Sequence, residues 1–232
     1  MNNLIEIKGL SKTYGRKKVL DDLNISISCG KIIGLLGPNA SGKSTLIKII
    51  NGLLQPTSGS VTIDGEKPGV HTKSIISYLP EKPYTNNELT VRQLVSLFKD
   101  FYSDFNEEKA YQMLYDLKVD PNSKIKTLSK GTKEKVQLIL VMSRHAKLYI
   151  LDEPISGVDP AARSYVIRTI INNYPPESTI IIVTHLISEI EHICDEVCFL
   201  NNGKIVLYED TDTIRVKNKT SVDALFREEF KC

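Results

Sequence analysis

The chain has 232 residues, of which 41% are hydrophobic and 25% charged, with 30 basic and 28 acidic side chains and a formal net charge of +2. A chain of this length buries about 70% of its unfolded surface, so it forms a core without disulfides or structural metals. The near balance of charge argues against a nucleic-acid-binding protein. No apolar run approaches the roughly 18 residues of a membrane span, and the N-terminus resembles no signal peptide, so we expect a cytoplasmic protein.

The first third of the chain predicts a small antiparallel sheet. Apolar and polar side chains alternate over residues 23–28, which is typical of a half-exposed strand, and residues 4–10 and 61–63 are further strands. We expect Tyr14 and Gly15 in the turn between the first two strands.

A phosphate-binding loop follows residues 31–36, which predict a buried strand of a parallel sheet. Gly37, Gly42, Lys43 and Ser44 fit the pattern G-x-x-x-x-G-K-[ST]. Glycines allow the backbone to curl so that successive N–H groups point at phosphate oxygens, Lys43 reaches the β and γ phosphates, and the Ser44 hydroxyl holds Mg²⁺. Apolar residues at helical spacing come next, so a helix N-terminus faces the phosphates. These residues are Leu46, Ile49, Ile50 and Leu53.

A helical insertion is predicted over about residues 84–145. Thr90 and Gln93 fit a capping box, and Leu89 with Leu94 fits a hydrophobic staple, so a helix begins here. Its apolar face comprises Leu94, Val95, Phe98 and Phe101. Two further helices are predicted over residues 106–117 and 130–144, the second with Val136, Ile139 and Leu140 facing inward. We interpret the insertion as a subdomain and residues 1–232 as a single domain.

Strands and helices alternate again after the insertion. Buried strands are predicted over residues 148–151 and 180–183, and a helix begins at Asp159 and Pro160, which fit the N-cap and the first helical position. A hairpin surrounds Asn202 and Gly203, and residues 210–232 form a tail with one predicted helix.

Four cysteines are scattered along the chain, at positions Cys29, Cys194, Cys198 and Cys232. Cys194 and Cys198 are four residues apart, but no second Cys/His pair accompanies them at zinc spacing. We therefore expect reduced thiols in place of a metal site.

Three groups of reactive side chains follow predicted parallel strands: the loop after Leu36, Asp152 with Glu153, and His185. Because ligands of an open parallel sheet bind beyond the carboxyl ends of its strands, we expect these groups to form one site. Asp152 would hold Mg²⁺, Glu153 would polarise an attacking water, and His185 would hydrogen-bond the γ-phosphate and that water.

The motifs and their order resemble the nucleotide-binding subunits of ABC transporters. The matching segments are Walker A at residues 37–45, the signature at 128–132, Walker B with its catalytic glutamate at 148–153, the D-loop at 156–159 and the switch histidine His185. Tyr14 stands where the family stacks an aromatic ring on adenine. The resemblance covers about residues 4–210. It implies an α/β P-loop NTPase fold with a RecA-like parallel-sheet core, a small antiparallel β subdomain and a helical insertion.

The resemblance also implies an ATPase that uses ATP and Mg²⁺ in a head-to-tail dimer. The partners would be a second nucleotide-binding subunit, identical or different, and a permease on a separate chain that holds the protein at the inner face of the membrane. The implied catalytic residues are Glu153 and His185, and the implied metal ligands are Ser44, Glu81 and Asp152. The implied ATP contacts are Tyr14, Gly37, Asn39, Ala40, Ser41, Gly42, Lys43, Ser44 and Thr45. The signature that faces the other subunit's ATP is Ser129, Lys130, Gly131 and Thr132.

Two departures from the family pattern concern charge. Glu81 replaces the usual glutamine of the Q-loop, which adds a negative charge beside the γ-phosphate. In the signature, Lys130 replaces the first glycine and Thr132 replaces glutamine. Lys130 is either an added phosphate contact or a solvated side chain. Chains with glutamate after Tyr-Leu-Pro resemble the subfamily whose permeases are of the ABC-2 type, so Glu81 and the short tail favour export of a drug, peptide, lipid or polysaccharide.

Three other functions remain as alternatives. An importer subunit would carry nearly the same motifs. A soluble ABC-type ATPase that acts on nucleic acid or ribosomes is disfavoured, because the chain has one cassette, near-neutral charge and no heptad repeats. A module that holds ATP without hydrolysis is disfavoured by the presence of Glu153 and His185.

Overall fold

The computed structural model describes residues 3–82 and 86–230, which form two sheets with helices around them. The strands are β1 (Asn3–Tyr14), β2 (Lys17–Ser28), β3 (Ile32–Leu36), β4 (Ser58–Ile63), β5 (Ile76–Leu79), β6 (Leu148–Asp152), β7 (Thr179–Val183), β8 (Glu196–Asn201) and β9 (Lys204–Asp210). The helices are α1 (Lys43–Ile50), α2 (Val70–Ile75), α3 (Val91–Phe101), α4 (Glu107–Asp116), α5 (Lys130–Met142), α6 (Pro160–Asn172), α7 (Ile187–Ile190), α8 (Thr211–Asn218) and α9 (Val222–Phe230). Cys232 and the first residue of the predicted insertion, residue 84, lie outside the described residues.

The smaller sheet is antiparallel, with the strand order β2-β1-β4. Its two long strands have 12 residues each, and they extend much further than the alternation of side chains predicts. The prediction that Tyr14 lies in the turn was wrong, because Tyr14 is the last residue of β1 and pairs with Lys17. The pairing of β1 with β2 shifts register between Leu10 and Thr13. These shifts interrupt the alternation of apolar and polar side chains from which the strand ends were predicted.

The larger sheet has six strands in the order β5-β6-β7-β3-β8-β9. The first five of these are parallel, and β9 pairs with β8 as the antiparallel hairpin that the sequence predicts. Every residue of β3, β6 and β7 is buried, because apolar layers cover both faces of the sheet. The carboxyl ends of β3, β5, β6 and β7 therefore meet at one edge.

Two apolar clusters cover the two faces of this sheet. Tyr149 and Leu151 of β6 belong to the cluster that includes α3, α5 and α6. Leu148 and Ile150 of the same strand belong to the cluster that includes α1 and the antiparallel sheet. The alternation of side chains along one strand thus fixes which layer lies on which face.

The helical segment between β5 and β6 contains α3, α4 and α5, as predicted. The capping box is present, since Thr90 Oγ1 accepts a hydrogen bond from Gln93 N at 3.2 Å and Thr90 N donates to Gln93 Oε1 at 2.8 Å. Phe101 was expected in the core, but it is the last residue of α3 and is 75% exposed. The buried ring of Phe98 instead contacts the rings of Tyr102 and Phe105. Leu53 was also expected to face the core, because it continues the helical spacing of apolar residues after the loop. It is exposed, because α1 ends at Ile50.

Arg144 fastens the end of this helical segment to the sheet. Its side chain is 2% exposed, and its Nε lies 3.0 Å from Asp104 Oδ1. The guanidinium also donates to the carbonyl oxygens of Ser74 and Ile76 and lies 3.8 Å from the centroid of the Tyr102 ring. A buried guanidinium is costly unless its donors are paired, so this set of partners fixes the position of the side chain.

The C-terminal tail forms two helices, α8 and α9, although the sequence predicts one. Phe226 and Phe230 of α9 contact Phe199 of β8, with ring centroids 5.3 and 6.0 Å apart. The additional helix begins at the N-cap Asp210, whose side chain accepts a hydrogen bond from Thr213 N. In the described residues, no helix combines the length and the apolar composition that crossing a membrane requires.

Three cysteines lie in the described residues, and all of them carry free thiols. Burial raises the pKa of both Cys194 and Cys198 to about 12, so neither forms a thiolate near neutral pH.

Candidate functional site

A cavity of about 600 Å³ lies at the carboxyl edge of the parallel sheet. It gathers most of the residues that the sequence assigns to one site, although they are distant along the chain. Those that line it are Asn39, Ala40, Ser41, Gly42, Lys43, Ser44, Thr45, Glu81, Asp152, Glu153 and His185. The convergence at strand ends was expected from the topology of parallel sheets.

Glycines at two positions allow the loop to pass close to neighbouring backbone. A Cβ at Gly37 would lie 2.2 Å from Leu200 O, and one at Gly42 would lie 2.9 Å from Val19 O. Gly42 also has a φ of +113°, a conformation that other residues rarely adopt. Only glycine therefore fits the loop at these two points without a shift of the backbone.

The loop presents hydrogen-bond donors that the chain itself leaves without side-chain partners. The N-cap of α1, Gly42, has no side chain to accept from the first N–H groups of the helix. Within the described residues, the Ser41 hydroxyl is buried and has no hydrogen-bond partner. Lys43 Nζ donates to Gly37 O at 2.6 Å and to Pro38 O at 3.0 Å, so it bends back over the loop. This arrangement fits phosphate oxygens, which accept from N–H, O–H and ammonium groups together.

Carboxylates face the loop from two other strands. Burial, followed by the charges of Glu81 and Glu153, raises the pKa of Asp152 to about 6. Burial lowers the pKa of Lys43, whereas the charges of Glu153 and Asp152 oppose that effect. The buried Asp152 and the neighbouring carboxylates of Glu81 and Glu153 repel one another, which suits a divalent cation that prefers oxygen ligands. The residues therefore fit Mg²⁺ beside a polyphosphate.

Glu153 is held at a defined position next to the loop. Its backbone has a φ of +56°, and its N–H donates to Val183 O at 2.8 Å. Thr184 Oγ1 donates to Glu153 Oε2 at 3.1 Å, and His185 Nδ1 lies 3.0 Å from Glu153 Oε1. Thr184 Oγ1 in turn accepts from Leu186 N at 3.1 Å. Each oxygen of the Glu153 carboxylate therefore has one side-chain partner, and together these partners fix its orientation.

Some predicted site residues do not line the cavity. Tyr14 is 47% exposed and its ring lies 5.3 Å from Lys12 Nζ, although its cross-strand partner Lys17 does line the cavity. Gly37 does not line the cavity either, but its carbonyl oxygen accepts a hydrogen bond from Lys43 Nζ.

The signature residues Ser129, Lys130, Gly131 and Thr132 also lie away from the cavity, at the start of α5. Ser129 caps this helix, since its Oγ accepts from Thr132 N at 3.2 Å. Ser129 is exposed, so this capped helix N-terminus lies at the surface of the subunit.

The cavity contains residues that sequence reasoning missed. Lys17 and Val19 line it from β2, and Val183 lines it near Glu153. Ser156, the first residue of the expected D-loop, also lines the cavity, although it was not assigned to the ATP site. Lys17 is the cross-strand partner of Tyr14, and its nearness along the chain to that expected ATP contact was the signal available for it. Val19 and Val183 offer no chemical signal, because apolar residues in strands are usual.

Comparisons with known proteins identify the family of the chain. The model of the ABC transporter family matches residues 20–156. A lantibiotic transport ATP-binding protein, SrtF of Streptococcus pyogenes, is 32% identical over 212 residues, which are 90% of this chain and 92% of that protein.

A Nod factor export ATP-binding protein of Rhizobium johnstonii is 32% identical over 208 residues, which are 86% of this chain and 67% of that protein. A solved structure of an ATP-binding subunit of an ABC transporter superposes with a TM-score of 0.86 at 31% identity and covers 97% of this chain and 98% of that one. These matches confirm the expected fold, with its parallel-sheet core and antiparallel subdomain. The chain therefore belongs to the ABC transporter family, and it is the ATP-binding, ATP-hydrolysing subunit of such a transporter.

Proposed function

We propose that the cavity binds ATP with Mg²⁺ and that Glu153 is the general base of hydrolysis. The observation that carries this proposal is the pair of contacts from Thr184 and His185 that aim the Glu153 carboxylate. A general base must lie within reach of the attacking water in a fixed orientation, and these contacts supply that orientation. When bound, Mg²⁺ neutralises charge on the phosphate oxygens.

The other roles follow from charge and position. Lys43 binds the β and γ phosphates, Ser44 and Asp152 hold the cation, and Glu81 holds it or its water from the third strand. His185 hydrogen-bonds the γ-phosphate. Phosphoryl transfer needs chiefly positioning and neutralisation of charge, and these groups supply both without a covalent step.

We also propose that two subunits assemble head to tail. Among the described residues, none of those that line the cavity belongs to the signature, while Ser129 and Lys130 are exposed at the start of α5. Helix N-termini attract phosphate, so a second copy that placed its signature over the cavity would complete the site. Loss of the γ-phosphate would then remove charge-assisted contacts and allow the two copies to separate.

The transport direction that we propose is export through a permease on a separate chain, which holds the subunit at the inner face of the membrane. Two features support it: the glutamate at position 81, and similarity to a protein that serves Nod factor export. An importer subunit remains the alternative. Copurification of a tagged chain from its native membranes would identify the permease, and transport into or out of vesicles that carry the complex would decide the direction.

The variant Glu153→Gln tests the proposed chemistry. We expect it to bind ATP with affinity close to that of the unaltered chain, to lose phosphate release, and to form a dimer that depends on ATP and Mg²⁺. Glu66→Gln is the matched control, because Glu66 is an exposed glutamate that pairs with His71 and does not line the cavity. Phosphate release at the normal rate in Glu153→Gln would refute the role of Glu153, and a monomer at saturating ATP and Mg²⁺ would refute the dimer.

A further inference from the structure

We propose that Glu81 of one copy and Lys130 of the second copy form a compensating charge pair across the bound ATP. This inference deepens the proposed function and rests on the head-to-tail dimer. It concerns two residues that differ in charge from the family pattern, one on each side of the proposed interface.

The cavity alone has too few positive charges for the ligand that it is proposed to bind. Three carboxylates line it, from Glu81, Asp152 and Glu153, against the two lysines Lys17 and Lys43. ATP with Mg²⁺ retains a net negative charge. A glutamine at position 81 would leave these carboxylates and lysines balanced, so the excess negative charge comes from Glu81. Like charges in a partly buried site repel strongly, which favours a cation from outside the subunit.

Lys130 is suited to supply that cation. It is the first residue of α5, its side chain is 81% exposed, and its nearest acidic atom is Glu134 Oε1 at 4.0 Å, the outer limit of an ion pair. The other oxygen of Glu134 is buried and, within the described residues, has no hydrogen-bond partner, so Lys130 does not satisfy that carboxylate. The side chain is therefore held loosely and can turn toward a new partner.

The position of Lys130 at a helix N-terminus adds to its effect. The first N–H groups of α5 carry partial positive charge, and the ammonium group extends from the same end. When a second copy closes over the cavity, water leaves the space between this end and Glu81, so the attraction between the two charges grows. If the Lys130 side chain instead stays in solvent, the effect of Lys130→Ala on the dimer should not depend on which residue stands at position 81.

A double-mutant cycle separates these roles. All variants carry Glu153→Gln so that ATP persists, and sedimentation velocity measures the dimer dissociation constant with ATP and Mg²⁺. We expect Lys130→Ala to raise this constant about tenfold when Glu81 is present, because charge pairs that lose water at an interface contribute in this range. In the Glu81→Gln background, we expect the same substitution to change the constant by less than about threefold.

Lys124→Ala is the matched control, since Lys124 is an exposed lysine in the segment before α5 with no charged partner among the described residues. We expect it to have a small effect that is the same in both backgrounds. Raising the salt to about 0.5 M should reduce the coupling between positions 81 and 130, because salt screens partly exposed charges. Equal effects of Lys130→Ala in the two backgrounds would overturn the charge pair while leaving the dimer intact. Absence of any ATP-dependent dimer in the Glu153→Gln chain would overturn the dimer and this inference together.

Discussion

Replacement of Asp152 by asparagine should stabilise the nucleotide-free chain at neutral pH. Burial, followed by the charges of Glu81 and Glu153, raises the pKa of Asp152 from 3.8 to about 6. The whole of that difference would correspond to about 3 kcal/mol, at about 1.4 kcal/mol for each pH unit. Solvent at the cavity mouth screens part of the interaction, so we expect a gain of about 1–2 kcal/mol in the free energy of unfolding.

The pH dependence follows from the sign of the shift. Because the folded chain holds this proton more tightly than the unfolded chain does, the ionised Asp152 destabilises the fold fully above about pH 7, and the effect disappears below about pH 4. Urea unfolding of Asp152→Asn and of the unaltered chain at pH 7.5 and at pH 4.5 measures this difference. We expect the advantage of the variant to shrink as the pH falls through 6.

Asp21→Asn provides a control of opposite sign. Hydrogen bonds from Lys18 and Lys204 lower the pKa of Asp21, so its charge contributes stability that is present at neutral pH and lost in acid. We therefore expect Asp21→Asn to destabilise the chain slightly at pH 7.5. If Asp152→Asn unfolds at the same or a lower urea concentration than the unaltered chain at pH 7.5, or if its advantage does not change with pH, the charge of Asp152 does not destabilise the fold.

Two further predictions concern the loop and the proposed base. Gly37→Ala should lower the free energy of unfolding by about 1–3 kcal/mol and weaken ATP binding, because its Cβ would meet Leu200 O; urea unfolding and ATP titration measure this. Gly69→Ala, whose Cβ finds ordinary contacts, should cost less than about 1 kcal/mol, the effect of alanine at the N-cap of α2, and an equal loss in both variants would show that the contact with Leu200 is not the cause. Thr184→Val should lower the rate of phosphate release about tenfold with little change in ATP affinity, because Glu153 loses one of its two orienting contacts. Thr184→Ser should restore the rate, and full activity in Thr184→Val would show that the hydroxyl does not position the base.

The phosphate-binding loop and the strand-end residues were predictable because their signals are local. Gly37, Gly42 and Lys43 stand at the fixed spacing that the tightly curled loop requires. Buried strands that alternate with helices indicate a parallel sheet, and Asp152 and His185 follow such strands, so both are expected at its carboxyl edge. The capping box at Thr90 is local in the same sense. The assignment of these residues to ATP and Mg²⁺ stays a prediction that the proposed experiments test.

Other features depend on contacts that no local pattern encodes. The short helices α2 and α7 have six and four residues, too few for helical periodicity to appear. Phe101 continues the apolar spacing of α3, but the helix ends there and Phe105 takes the core position. The hydrogen bond from Thr184 to the Glu153 carboxylate goes with a left-handed backbone conformation at Glu153, which no spacing in the sequence predicts. Lys17 reaches the cavity only because the β1–β2 hairpin folds over the loop.

The buried guanidinium of Arg144 gives the helical insertion a fixed point of attachment to the sheet. It joins the C-terminal root of the insertion to the backbone around β5, whereas the start of α5 lies about 20 Å away along the helix. A rotation of about 10° about this fastening would carry Ser129 by about 3.5 Å, more than the length of a hydrogen bond. A small tilt about this attachment would therefore be sufficient to engage or release the start of α5.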